Sequence, residues 1–223
     1  MEIDGVKIEF LGHSGFLIKD TSGKIIAIDP YNVNEKVGKA DLILITHSHY
    51  DHCSIKDIIH LSKEGTIIVI PADAQSKITK VEKVNMQIIE SGEEFDFGHT
   101  KIEALLAYNV DKEFHPKEEG WIGYLIKMGN VIVYHAGDTD VIPEIKKLTG
   151  YGKKENKFIL LLPVSGKYVM NAEEAAECVS LLNPFLAIPM HYGAGVAGNL
   201  ENALEFVQAC KERNVHAEIL EKI

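Results

Sequence analysis

Short apolar runs, separated by turn-forming residues, organise the first half of the chain. Residues 6–11, 15–19 and 24–29 are β-prone runs divided by glycine, aspartate and serine, which predicts three closely spaced strands. Residues 41–46 (DLILIT) form a nearly continuous apolar run, which is typical of a strand buried on both faces. This predicted strand ends directly at His47.

The middle of the chain alternates between predicted helices and strands. Ser54 and Asp57 fit the start of a helix that Gly65 ends, and a second helix is expected over residues 73–83. Further β-prone runs predict strands at residues 66–70, 84–89, 93–97, 100–107, 121–128 and 131–135. The turn Gly129-Asn130 joins the last two of these strands as a hairpin.

Helix–strand units make up the last third of the chain. Asn171 and Glu174 form a capping-box pattern that starts a helix, and Asn199 is expected to start the last helix. Strands are predicted at residues 158–163, 185–190 and 217–220, and the second of them ends at His191. No linker or short repeat interrupts the pattern, so we expect one domain over residues 1–223, with two sheets packed between outer helices.

Composition and charge narrow the functions to consider. The chain carries 33 acidic and 23 basic side chains, a formal net charge of −10. Such a surface repels phosphate backbones and anionic lipids, so we expect a small-molecule substrate and neither nucleic-acid nor membrane partners. The three cysteines have no CxxC spacing, and the first residues lack the pattern of a secretion signal, which predicts a cytoplasmic location. A homo-oligomer is compatible with the sequence.

Four potential metal ligands lie within six residues, directly after the predicted strand 41–46. In the segment HSHYDH, residues 47–52, alternate side chains point to one side, so His47 and His49 can converge on one point. The turn that follows can direct Asp51 and His52 at a second point. Imidazole and carboxylate ligands suit Zn²⁺ first, with Mn²⁺, Fe²⁺ and Ni²⁺ as alternatives. A polar loop with surface histidines is the other interpretation, but this density of ligands favours one or two bound ions.

The segment THSHYDH resembles the HxHxDH signature of the metallo-β-lactamase superfamily. Three further features agree in order: Asp29 in IAIDP resembles the family's early structural aspartate, Asp138 in YHAGDTD its metal-bridging aspartate, and His191 in AIPMHYG its last histidine ligand. The segments GHSGF, YHAGDTD, LLPVSGKYVM and PMHYG look closest to metal-dependent hydrolases similar to L-ascorbate-6-phosphate lactonase. The resemblance implies an α/β fold (α+β by some schemes), a four-layer αββα sandwich with two mixed sheets between outer helices.

The same resemblance implies a role for each matched residue. The expected ligands are His47 and His49 for a first metal, Asp51, His52 and His191 for a second, and Asp138 as a bridge. An aspartate suits the bridging place because its carboxylate has two oxygens. A water between the ions is expected to lose a proton and to attack a carbonyl carbon or a phosphorus atom as hydroxide. Asp51 and Asp138 are therefore the expected catalytic carboxylates.

The third ligand of the first metal does not follow from the motif. The family usually supplies a histidine between HxHxDH and the GDT element, and His60, His99 and His115 lie in that interval. We favour His115, which lies in a long polar loop before the hairpin. Asn109 stands at a strand end where related sequences can carry the ligand histidine. If neither residue serves, a single-metal or asymmetric site is expected.

Further residues are expected to contact the substrate or to support the ligands, namely His13, Asp29, Tyr50, Asn109, His135 and Tyr168. His13 is either a pocket residue or a loop histidine bonded to backbone. His135 either orients a ligand carboxylate or is a core histidine. Tyr50 either touches substrate or packs at the edge of the site. Tyr168, beside Lys167, could bind a leaving group or an anion.

Together these features predict a metal-dependent hydrolase, with two zinc ions and a small ester, lactone or phosphodiester as substrate. A nuclease or other phosphodiesterase of the same fold is one alternative, although the acidic surface opposes nucleic-acid binding. A non-catalytic metal-binding protein is the other. It is disfavoured because a buried cluster of polar ligands is costly to maintain without use.

Overall fold

The first of two sheets is built from the N-terminal half of the chain. The computed structural model describes residues 1–153 and 155–223. In order across the sheet, the strands are β1 (Glu2–Ile3), β2 (Val6–Gly12), β3 (Gly15–Lys19), β4 (Ile25–Ile28), β5 (Leu42–Leu44), β6 (Ile67–Ile70) and β7 (Asn85–Ile88). β1 to β4 pair antiparallel, and β4 to β7 pair parallel. The sheet is therefore mixed.

The second sheet comes from the rest of the chain. Its strands are β8 (Glu94–Phe97), β9 (Thr100–Leu106), β10 (Ile122–Met128), β11 (Val131–His135), β12 (Lys157–Pro163) and β13 (Leu186–Met190). The spatial order is β13-β12-β11-β10-β9-β8, antiparallel from β8 to β11 and parallel from β11 to β13. This sheet is also mixed.

Within the residues that the structure describes, four α-helices accompany the sheets. They are α1 (Ile55–Leu61), α2 (Gln75–Ile78), α3 (Ala172–Leu182) and α4 (Leu200–Glu212), with 3₁₀ turns at Ala72–Ala74, Lys117–Glu119 and Pro143–Gly150. Capping boxes begin both long helices, at Asn171 with Glu174 and at Asn199 with Asn202. Within the described residues, no helix is long and apolar enough to cross a membrane.

Alternation along the buried strands produces the layers. Leu42 and Leu44 belong to the main core between the sheets, which they share with Tyr124 of β10. Ile43, between them, faces a second core that contains Ile58 of α1. The main core continues through the second sheet to residues of α3 and α4. Two mixed sheets between flanking helices confirm the expected fold class.

Two predicted elements are wrong. The helix over residues 73–83 is reduced to a 3₁₀ turn and α2, because the chain turns after Thr79 and Lys83 takes a left-handed φ of 60°. The strand over residues 217–220 is a single bridge from Ala217 to Ala187. The backbone bonds of Ala187 to His216 and Glu218 leave no continuous ladder there.

The first helix differs from its prediction in detail. Ser54 precedes α1, but its side chain caps no backbone N–H. Its hydroxyl instead lies 2.5 Å from Asp57 Oδ2. The Asp57 carboxylate also accepts from the backbone N–H groups of Asn32 and Val33, both at 3.0 Å. Asp57 therefore fastens the helix to the loop after β4, and α1 ends at Leu61, before Gly65.

Candidate metal centre

The candidate ligands collect where parallel strands of both sheets end. His47 follows β5 closely in the first sheet. In the second sheet, Asp138 follows β11 and His191 follows β13 directly. Because carboxyl ends of parallel strands share one edge of a sheet, loops from distant parts of the chain meet there. The motif residues and the later aspartate and histidine thus come from opposite sheets.

Three groups of side chains each bring possible ligand atoms within 4.8 Å of one another. The groups are His47, His49 and His115; His13, Asp51, His52 and His191; and His47, His52 and Asp138. The six residues of the HxHxDH, GDT and final histidine elements are therefore brought together. The groups overlap through shared histidines, so they form one continuous cluster.

Asp138 lies at the centre of this cluster. Its Oδ2 atom is 3.1 Å from His191 Nε2 and 3.2 Å from His115 Nε2, and its Oδ1 atom is 3.3 Å from His52 Nε2. Burial would raise the pKa of this carboxyl group, but His191 and His52 outweigh it and hold the pKa well below its ordinary value. Asp138 is thus an ionised carboxylate whose two oxygens face different histidines.

The outer nitrogen of each central imidazole has its own partner. His47 Nδ1 lies 3.0 Å from the Thr46 hydroxyl, His52 Nδ1 2.7 Å from Asp29 Oδ2, and His115 Nδ1 2.9 Å from the Tyr168 carbonyl. His191 Nδ1 lies 2.8 Å from the Ser165 hydroxyl. Partners of this kind fix the orientation of the ring and direct its other nitrogen inward.

The Asp29 carboxylate contacts the motif loop at two residues. Besides His52, its carboxylate accepts from the Thr46 backbone N–H at 2.8 Å and from the Thr46 hydroxyl at 2.6 Å. One buried side chain thereby holds both ends of the motif loop. In the second sheet, the loop that carries Asp138 needs a glycine at position 137. Gly137 has a φ of 66°, and an added Cβ there would lie 2.7 Å from the Ile122 carbonyl oxygen.

Three buried inner atoms of the cluster make no hydrogen bond within the described residues, although they lie close to one another. They are His52 Nε2, His115 Nε2 and Asp138 Oδ1. Unpaired buried polar atoms cost about 1–3 kcal/mol each, and a divalent cation would satisfy all three. Burial and the neighbouring His52 hold the pKa of His47 well below its ordinary value, which favours the neutral imidazole that binds metals. The donor set therefore fits a divalent metal such as Zn²⁺.

His115, rather than Asn109, lies among the candidate ligands. The Asn109 amide donates to the carbonyl oxygens of Phe114 at 2.7 Å and Tyr168 at 2.6 Å. It therefore ties together the loop that carries His115. Of the other two histidines in the interval, His60 lies 3.1 Å from the Val37 carbonyl and His99 is exposed.

His13 and His135 have different surroundings. His13 is fully buried, and its Nε2 lies 2.8 Å from Asp51 Oδ2, so the structure brings it into the cluster. His135 Nε2 lies 2.8 Å from the Ser14 carbonyl, and the Gly137 N–H donates to its Nδ1. His135 thus binds backbone between the sheets, as a core histidine does, and burial lowers its pKa.

A cavity of about 230 Å³ opens onto the cluster. Its lining residues are His49, Tyr50, Asp51, Phe114, His115, Asp138, Tyr168, His191 and Val196. Tyr50 is 61% exposed and Phe114 47% exposed, so both stand at the mouth. Tyr50 and Tyr168 therefore lie where a substrate could contact them.

Trp121 and Asp73 also lie at the site, although the sequence did not identify either residue as part of it. The Trp121 ring lies 4.8, 4.9 and 5.2 Å, between centroids, from the rings of His49, His47 and His115. Its Nε1 donates to Asp73 Oδ2 at 2.7 Å, and the same oxygen accepts from the Ser48 N–H at 3.2 Å. The one available signal was that the only tryptophan of the chain starts a predicted strand.

Comparison with known proteins agrees with this geometry. A sequence model described as the beta-lactamase superfamily domain matches residues 7–191, the span that contains every candidate ligand. The UPF0173 protein of Pyrococcus furiosus is 33% identical over 216 residues, covering 94% of this chain and 93% of the relative. The UPF0173 metal-dependent hydrolase of Thermococcus kodakarensis is 35% identical over 206 residues, covering 84% of each.

A solved structure resembles the whole chain. The crystal structure of a protein from Parabacteroides distasonis superimposes with a TM-score of 0.80 at 29% identity. The match covers 97% of this chain and 94% of that one. The chain therefore belongs to the metallo-β-lactamase superfamily and, within it, to the metal-dependent hydrolases.

Proposed function

We propose that the protein is a dinuclear hydrolase that cleaves a small ester, lactone or phosphodiester. The observation that carries the proposal is the position of Asp138 between the histidine groups, with its two oxygens facing different imidazoles. A first ion would be held by His47, His49 and His115, and a second by Asp51, His52 and His191, while Asp138 would contact both. Nitrogen and oxygen donors in these numbers suit Zn²⁺, and Mn²⁺, Fe²⁺ or Ni²⁺ are the alternatives.

A divalent metal in this cluster supplies Lewis acidity, which lowers the pKa of water and polarises a substrate oxygen. The chain supplies the rest. Asp51 lines the cavity and is ionised, because the hydrogen bond from His13 outweighs the effect of burial and lowers the pKa of Asp51 to about 2. Asp51 is thus in the ionised form that can bind a metal ion and accept a hydrogen bond from the attacking water.

The remaining residues orient the ligand imidazoles and enclose the substrate. Asp29, Thr46 and Ser165 hold the imidazoles from outside, which reduces the rearrangement needed when a substrate binds. The cavity of about 230 Å³ is below the usual size for drug-like ligands, which supports a small substrate. The similarity of the GHSGF and YHAGDTD segments to L-ascorbate-6-phosphate lactonase relatives supports lactones as a first class to test.

The deciding experiment measures metal content and hydrolysis on the same preparation. Elemental analysis of the purified chain is expected to find about two equivalents of metal, one for each group of ligands. Lactones, aryl esters and phosphodiesters are then assayed with and without removal of metal by a chelator. Hydrolysis that disappears with the metal and returns on its addition supports the proposal. Two bound metal ions without hydrolysis of any of these substrates would favour a non-catalytic metal-binding protein. A chain that binds no metal would contradict both the hydrolase and the metal-binding protein.

A further inference from the structure

Two chemically different sets of side chains line the cavity above the metal cluster. One set consists of candidate ligands. The other set, here called the aromatic wall, consists of Tyr50, Phe114, Tyr168 and Val196, three aromatic rings and an aliphatic side chain. Apolar side chains that are grouped around a cavity, unlike singly exposed ones, are typical of a binding surface. A substrate positioned for attack would therefore place the rest of its structure against this aromatic wall.

The wall is held in place before any substrate arrives. The rings of Phe114 and Tyr168 meet edge to face, with 4.6 Å between their centroids. The carbonyl oxygens of both residues accept hydrogen bonds from the single amide group of Asn109. The ring of Tyr50 lies 5.9 Å from that of Tyr31, also edge to face. Little ordering is needed on binding, and such preorganisation favours affinity.

No lysine or arginine lines this cavity among the residues that the structure describes. Lys167 lies nearest in sequence to the wall, but its ammonium group sits 4.7 Å from the Tyr168 ring centroid and the side chain is outside the lining. Lys112 is paired with Asp140, and Lys77 donates to the Ser48 carbonyl. A phosphate group inside the cavity and away from the reacting bond would thus meet aromatic rings and carboxylates, with no lysine or arginine among the lining side chains of the described residues.

We infer that the substrate is an uncharged carboxylic ester or lactone that carries an aromatic or similarly apolar group, and that this group packs on Phe114 and Tyr168. The inference rests on the proposed hydrolytic function and narrows it. Water oxygen bonds to the carbonyl carbon, the acyl C–O bond breaks, and the leaving oxygen takes the proton. An ester gives a carboxylic acid and an alcohol or phenol, a lactone gives a single hydroxy acid, and no further reactant is needed.

Three probes separate the features of the substrate. Dihydrocoumarin is a neutral aromatic lactone, glucono-δ-lactone is a neutral lactone without an apolar group, and bis(4-nitrophenyl) phosphate is an anionic phosphodiester with aromatic groups. With the metal-loaded protein, kcat/KM for dihydrocoumarin is expected to exceed that for each of the others about tenfold or more, as one well-packed aromatic contact provides. A preference for the phosphodiester or for the hydrophilic lactone would overturn the inference.

A variant of the wall tests the residues named. Phe114→Ala is expected to raise KM for dihydrocoumarin about five- to tenfold, with a smaller change in kcat. The preference for dihydrocoumarin over glucono-δ-lactone should fall by a similar factor. Phe185→Ala is the matched control, because Phe185 is 42% exposed at the start of β13 and does not line the cavity. An unchanged preference in Phe114→Ala, or an equal change in Phe185→Ala, would contradict the role of the wall.

Binding measurements keep this inference separate from the proposed function. Calorimetric titration of dihydrocoumarin into the metal-loaded protein and into its Phe114→Ala variant needs no turnover. Binding that weakens in the variant would support the substrate class even if no probe were hydrolysed, an outcome that would count only against the hydrolase. Absence of binding to the unaltered protein, or tighter binding of bis(4-nitrophenyl) phosphate, would overturn the substrate class.

Discussion

His13 Nε2 lies 2.8 Å from Asp51 Oδ2, and this contact is the one hydrogen bond of the His13 ring within the described residues. The four central imidazoles of His47, His52, His115 and His191 differ, because each has an outer partner at Nδ1. His13 is therefore better suited to position the Asp51 carboxylate than to bind a metal itself. It comes from the turn between β2 and β3, far from the motif in sequence.

Removing the His13 contact should weaken metal binding. We expect His13→Leu to lower affinity for one of two metal equivalents about 10- to 100-fold, the usual effect of losing a group that orients a ligand. Chelator competition measures this change, and circular dichroism checks the fold. His13→Gln retains an N–H donor and should recover part of the affinity. Equal losses in both variants would argue against a donor role.

Asp138 should be required for the cluster. Asp138→Ala removes the carboxylate that faces three histidines, so we expect loss of at least one metal equivalent and of most activity. Asp41→Asn is the matched control, since Asp41 precedes β5 at the end opposite to the motif and pairs with Lys63 at 2.7 Å. Elemental analysis of both variants decides, and full metal content in Asp138→Ala would contradict the assignment.

His115 and Asn109 should respond differently to substitution. His115→Ala is expected to lose one metal equivalent, because its inner nitrogen lies 3.2 Å from Asp138. Asn109→Ala should lose less metal than His115→Ala and should raise KM, because the amide bonds the backbone of the aromatic wall and reaches only the outer nitrogen of His115. Metal content and steady-state kinetics distinguish the two. The reverse pattern would assign the ligand to Asn109.

Trp121 offers an internal reporter of metal binding. It is the only tryptophan, and its ring centroid lies within 5.2 Å of those of His47, His49 and His115. Titration of the metal-free protein with Co²⁺ or Ni²⁺ should quench its fluorescence in step with occupancy. Trp121→Phe should bind metal without this signal. A titration that leaves the emission unchanged while metal binds would place the ions elsewhere.

Protonation of Asp20 in acid should lower the free energy of unfolding. Burial raises the pKa of this carboxyl group, but hydrogen bonds from Ser22, Lys24 and Thr100 outweigh it, so the pKa lies below its ordinary value. A folded pKa below the unfolded value stabilises the fold above about pH 4, and this stabilisation is lost as the pH falls through the folded pKa. In thermal unfolding of metal-free protein, the advantage over Asp20→Asn should shrink below that pH. A difference that stays constant from neutral to acid pH would exclude this linkage.

Local patterns predicted the elements that carry the site. The apolar run before His47 located β5, and the asparagines at positions 171 and 199 located the starts of α3 and α4. These features depend on neighbours along the chain, which a sequence displays directly. The prediction of a helix over residues 73–83 was wrong because the turn at Lys83 overrides the helix propensity of this segment. The prediction of the last strand was wrong because this segment pairs with β13 only through a single bridge at Ala217.

Contacts between distant segments were harder to predict. The sequence singled out His13 and Asn109 but could not say what each touches, since Asp51 and Tyr168 lie far along the chain from them. Trp121 was missed for the same reason, because its indole contacts Asp73, a residue far away along the chain. The clustering of His47 to His52, by contrast, is local and was visible from spacing.

The candidate ligands are divided between the two sheets: His47 to His52 follow β5, whereas Asp138 and His191 follow strands of the second sheet. An ion in the cluster would cross-link the two halves of the sandwich at one edge. Its binding free energy would then add to their cohesion, as for any ligand that binds only the folded state. The melting temperature of the protein should therefore rise with the concentration of free metal. Without metal, the protein should unfold first along the edge that holds the cluster.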